Sequence, residues 1–236
     1  MKLNGNIYYE EALIVDKYLL SELEVVLIEY FEKVSYNVTL INGDSIEFDA
    51  LDELFKYENA KSRKITVLEI KFGFLNRLKF DKSGGTFSSY KYSLTGYYTI
   101  DDDDKAVLFT SKLKSVLDKG KRPKWYTFIT KFSAVYIAFF SFVLWTILFL
   151  LQMGFKINTN DSYITANYLN NVLFCITILF LIIYICSKIR NYFFPVISYM
   201  IGQQKKEIEK LQSFYEKFFW GVIITLAIGI ITAVLF

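Results

Sequence analysis

Two patterns of apolar and polar residues divide the chain near residue 131. Before it, apolar positions recur with helical or strand periods among dense charges; after it they run together and charges are sparse. In VDKYLLSELEVVLIEYFEKV, residues Leu20, Leu23, Leu27, Tyr30 and Phe31 share one helical stripe, and Asp16 stands where an N-cap belongs. YNVTLINGDSIEF alternates, with Tyr36, Val38 and Leu40 on one side of Asn42-Gly43 and Ile46 and Phe48 on the other. That spacing predicts a hairpin with a type I′ turn, which needs positive φ at both central residues. A short helix, ALDELFKY, is expected after Asp49, with Asp52 and Glu53 at its positive end. RKITVLEIKFGF, NRLKF and SSYKYSLTGYYTI read as three more strands, Gly84-Gly85 forming part of one connection. The helix DDDDKAVLFTSKLKSVLDKG would bury Ala106, Phe109, Leu113 and Val116 and stop at Gly120.

About five strands and three helices in about 120 residues suffice for one core. The expected class is α+β: a small antiparallel-sheet-plus-helices domain over residues 1–120, a basic hinge over 121–131, and an α-helical membrane region of three spans over 132–236. The spans are placed at about 132–153, 170–187 and 218–236, because each uncharged run is long enough to cross about 30 Å of hydrocarbon. Between them, residues 188–217 form a charged segment with an amphipathic stripe of Ile208, Leu211, Tyr215 and Phe218. NYFFPVISYMIGQQ, residues 191–204, is uncharged but too short to span; it is expected as a kinked extension of the second span or an interfacial segment.

Basic residues set the orientation. Lys119, Lys121, Arg122 and Lys124 precede Trp125 and Tyr126, the order expected where a chain enters a membrane through an anionic inner leaflet and an aromatic belt. Trp220 repeats the arrangement before the third span. The expected location is the inner (cytoplasmic) membrane, multi-pass, N-terminus cytoplasmic and C-terminus outside, with the lipid bilayer as one partner. In general plan the chain resembles bacterial membrane proteins that join a small cytosolic domain to a few spans. Gly221, Thr225, Gly229 and Ala233 form a small-residue ridge that fits self-association into a homo-oligomer as well as packing within the chain.

Composition narrows the chemistry. The chain is 53% hydrophobic and 19% aromatic, high for 236 residues. Residues 1–125 carry 19 Lys/Arg against 20 Asp/Glu, which argues against a nucleic-acid partner, since phosphate binding needs a concentrated basic face. The absence of His removes imidazole acid/base catalysis, His-activated nucleophiles and imidazole metal ligation. Cys175 and Cys186 would stand about 16 Å apart on one helix, too far to bridge, and the first half has no Cys for zinc or disulfides.

Asp101, Asp102, Asp103 and Asp104 are the one cluster that could draw a divalent cation, but four consecutive carboxylates at a helix start are expected to cap it. The hairpin acids Asp44, Glu47 and Asp49 read as its polar face. YKYSLTGYY could show rings to a ligand, although the same alternation describes a half-buried strand. No cofactor and no enzymatic activity are expected. The expected function is a membrane-anchored interaction or sensor module whose cytosolic domain binds a ligand or protein. Its alternative is a pore- or leak-forming membrane effector of bacterial defence, triggered through that domain.

Overall fold

A computed structural model describes residues 3–82, 92–131, 184–185, 188 and 191–235. The first is strand β1 (Leu3–Tyr9), followed by β2 (Leu13–Val15), helix α1 (Lys17–Tyr30), β3 (Val34–Leu40) and β4 (Ser45–Phe48). Next come α2 (Leu51–Lys56), a 3₁₀ turn (Lys61–Arg63), β5 (Ile65–Phe72), β6 (Asn76–Asp81) and β7 (Leu94–Ile100). Helices α3 (Asp103–Lys119) and α4 (Lys124–Lys131), strand β8 (Ile197–Tyr199) and helix α5 (Gln203–Leu235) complete the described elements.

Six strands form one antiparallel sheet in the order β1-β7-β6-β5-β3-β4. Period-two alternation sends Tyr36, Val38, Leu68, Ile70, Leu78, Phe80, Leu94 and Tyr98 to one face, where they are buried. Helices α1 and α3 cover that face with Leu20, Leu23, Leu27, Phe109 and Leu113. Phe109 is the hub: its ring lies 5.3 Å from Tyr30, 5.6 Å from Phe31 and 5.1 Å from Tyr98, within the range where aromatic pairs add to area burial. The caps follow the sequence. Asp16 accepts from Leu19 N at 2.8 Å and Gly120 ends α3.

The hairpin forms at Asn42-Gly43, but its turn differs from the type I′ expectation. Gly43 alone has positive φ, +90°; its N–H donates to the Leu40 carbonyl at 3.0 Å, and Leu40 N donates to the Asp44 carbonyl at 2.8 Å. This is a three-residue loop with Gly in the left-handed bulge position, and Asn42 instead bonds Asp44 through its side chain.

Strand β8 lies in the segment expected to be a kinked extension of a span or an interfacial piece. It pairs in parallel with β2, Leu13 opposite Ile197 and Val15 opposite Tyr199. Ile197, Tyr199 and Ile201 are fully buried in the same core as the large sheet, and Tyr199 Oη donates to the Phe80 carbonyl at 2.8 Å. Asn59, buried at φ +49°, binds the return of the chain: its Nδ2 donates to the Ile201 carbonyl at 3.2 Å, while its Oδ1 accepts from Ile65 N and Gln204 Nε2.

The three-span membrane region is corrected by this structure. Among the described residues no helix is long and apolar enough to cross a membrane. The third expected span is not an element of its own. Residues from 218 onward continue α5, whose first half carries Lys205, Lys206, Glu207, Glu209, Lys210, Glu216 and Lys217. The expected spans at about 132–153 and 170–187 lie outside the described residues apart from Tyr184 and Ile185. An uncharged run satisfies the length rule for a span, but the same composition also makes a helix that protein covers. With the spans go the α+β-plus-membrane fold class, the multi-pass inner-membrane location with its N-in, C-out orientation, and both membrane functions, anchored sensor and pore-forming effector. The antiparallel sheet with helices remains.

Candidate binding face

Because α1 and α3 lie on one side of the six-stranded sheet, the alternate residues of every strand face away from them. Register assembles these residues into rows. One crosses all six strands: Tyr8, Thr95, Lys79, Glu69, Asn37 and Glu47. A second runs Asn6, Tyr97, Arg77, Lys71 and Ser35. The face holds a depression of about 620 Å³, lined from five strands by Asn6, Tyr8, Asn37, Thr39, Val67, Glu69, Arg77, Lys79, Thr95, Gly96 and Tyr97. That volume lies within the range of small-ligand sites.

The charges of this face are matched to one another. Arg77 stands 3.5 Å from Glu69, Lys79 2.9 Å from Asp81 and Lys71 3.4 Å from Glu47. Pairs this exposed contribute at most about 1 kcal/mol each, so their effect is to orient donors and balance charge. The remaining lining is amide, hydroxyl and phenol. Tyr8 is more than half exposed and its ring packs 4.7 Å from Tyr92; Tyr97 stands between Asn6 and Arg77 in the second row. Within the described part of YKYSLTGYY, Tyr98 points into the core and Tyr97 to the open face.

The residues singled out by sequence are elsewhere. Lys119 pairs with Glu22 at 2.7 Å and lies over the Tyr18 ring, while Lys121 is 3.7 Å from Asp118. Arg122 and Tyr126 are buried, Trp125 is 40% exposed beside Tyr126 and Phe194, and Lys124 opens α4. Trp220 and Ala233 fall on α5. Gly221, Thr225 and Gly229 are exposed on the same helix, with no described atom within 4 Å of a Cβ at either glycine, and Thr225 Oγ1 donates to the Gly221 carbonyl at 2.8 Å.

Asp102 caps α3 by accepting from Asp104 N at 3.0 Å; Asp101, Asp103 and Asp104 are exposed around it. Among the described residues no group of three His, Cys, Asp or Glu side chains is arranged to hold a metal. Asp102→Ala is expected to cost about 1 kcal/mol in a denaturant titration, and Asp102→Asn almost nothing, because an asparagine carbonyl caps equally well.

Sequence reasoning missed Asn6, Tyr8, Asn37, Thr39, Glu69, Arg77, Lys79 and Thr95. Their signal was present as the polar half of each strand's alternation, but pairing register is what brings them together. Fold and face together define an α+β domain with one helix-covered and one open sheet face. Comparison with protein-family models, curated proteins and solved structures finds no match for this chain.

Proposed function

We propose that the chain is a binding module, not an enzyme, and that it recognises its ligand on the open face of the six-stranded sheet. The carrying observation is the depression of about 620 Å³ in which amides, hydroxyls, tyrosine rings and internally paired charges from five strands converge. Side chains held on a paired sheet are preorganised, so little ordering entropy opposes binding there. Since Lys71, Arg77 and Lys79 each have a carboxylate beside them, the surface suits a neutral or zwitterionic ligand rich in hydroxyl or amide groups. A polyanion would have to break the pairs.

A direct test is calorimetric titration of the full chain with neutral oligosaccharides, alongside sulfated counterparts of equal length. The neutral series should bind with an affinity that changes less than about twofold between 50 and 500 mM NaCl, since no net counterion release accompanies it. Preference for the sulfated series with a steep salt slope would remove this reading.

A further inference from the structure

Arg122 is 8% exposed, and among the described residues no carboxylate lies within ion-pair distance of it. Its Nη2 donates to Ser198 Oγ at 3.2 Å, and its guanidinium carbon sits 4.9 Å from the Tyr126 ring centroid. Its Nε–H has no hydrogen-bond partner among the described residues. Neither does the buried hydroxyl of Tyr215, whose ring packs 6.1 Å from Tyr126 and 5.1 Å from Phe194. These are the two buried side-chain polar atoms left without a partner among the described residues, and both residues pack against the Tyr126 ring. A buried cation that no anion compensates costs several kcal/mol, and a cation–π contact with a single serine bond offsets only part of that. Around this place stand the guanidinium, Ser198 Oγ and Tyr215 Oη, and the neighbouring Pro195 carbonyl already accepts from Tyr126 Oη at 3.1 Å. Burial lowers the Arg122 pKa, yet a guanidinium stays charged at neutral pH.

We infer that Arg122 Nε and Tyr215 Oη are donors of a small-oxyanion site, of the phosphate class, at the seam where α5 and β8 meet the segment leading into α4. The ion would neutralise Arg122 and satisfy both unpaired atoms at once, so its binding holds α5 against the sheet domain. It is separate from the open sheet face and stands whether or not that face binds a ligand.

The test is equilibrium dialysis of the full chain with radiolabelled inorganic phosphate, paired with thermal melts in phosphate and in sodium chloride of equal ionic strength. The expected results are one phosphate per chain and a rise in Tm of about 3 °C at ten times the half-saturating concentration, absent in chloride. Tyr215→Phe removes one hydroxyl and keeps the ring. It should weaken phosphate binding about tenfold while leaving the phosphate-free Tm unchanged or higher, because an unsatisfied hydroxyl is deleted. Arg122→Gln should abolish retention. Because that variant also disturbs packing, Tyr215→Phe decides: wild-type affinity in it, or no retained phosphate in the unaltered chain, overturns the site.

Discussion

Gly202→Ala is expected to destabilise the protein by more than about 3 kcal/mol, and to do so by releasing the β8 segment from the sheet domain. Two independent penalties add at this residue. Its φ of +55° lies where side-chain-bearing residues are strained, and a Cβ built there would overlap the backbone carbonyl of Glu58. That carbonyl cannot retreat, because it accepts from Gln203 N at 2.7 Å next to Asn59, which binds both Ile201 and Gln204. Separation at this point would expose Ile197, Tyr199 and Ile201 and break the bond from Tyr199 Oη to Phe80. Gly43→Ala is the control: φ is +90° but the space around it is open, so only about 1 kcal/mol should be lost. Urea midpoints of the two variants measure the difference. Equal midpoints would mean that the turn at Gly202 does not hold the segment in place.

The second large effect separates two adjacent tyrosines. Tyr97→Ala should lower affinity for the neutral ligand about 30-fold, the loss expected when a central aromatic contact of about 2 kcal/mol is truncated, with Tm shifted by no more than about 2 °C. Tyr98→Ala should do the reverse and cost about 3–5 kcal/mol of stability. Tyr98 is buried, packs on Phe109 at 5.1 Å and fills the space over Gly5, where any Cβ would overlap its ring. Tyr97 stands one residue away on the opposite face, opposite Asn6 and Arg77. Binding isotherms and melts of the same two variants provide the comparison; Tyr97→Ala binding at wild-type strength would count against the proposed face.

Much of the domain could be read from local physics. Helices α1 and α3 announced themselves through a 3.6-residue stripe and an acidic cap, and β3 through β7 through alternation, because each has one face wet and one buried. Three strands could not be read this way: β2, with three residues, is too short to show a period. In β1 an inward position is occupied by Gly5, its space filled by Tyr98 from the neighbouring strand, so the apolar alternation is interrupted. In β8 all three residues are buried, which erases periodicity and makes an internal strand look like uncharged chain of any kind. That loss of contrast is also why VISYMIG reads as a membrane-neighbouring segment although Ile197, Tyr199 and Ile201 lie in the core. The basic stretch at 119–124 was equally ambiguous. Three of its four cations resolve into a bridge to Glu22, a neighbour pair with Asp118 and a buried guanidinium, contacts that depend on partners up to 97 residues away. The candidate face was hidden for a related reason: Asn37, Glu69, Lys79 and Thr95 each look like ordinary solvent-side strand residues, and only antiparallel register aligns them.

The most direct test of the open sheet face as the recognition surface is a backbone amide shift map of the full chain titrated with a neutral oligosaccharide. Shifts concentrated at Asn6, Asn37, Glu69, Lys79, Thr95 and Tyr97, with α1 and α3 unmoved, are the expected result. Shifts confined to the helix-covered side, or to α5, would contradict it.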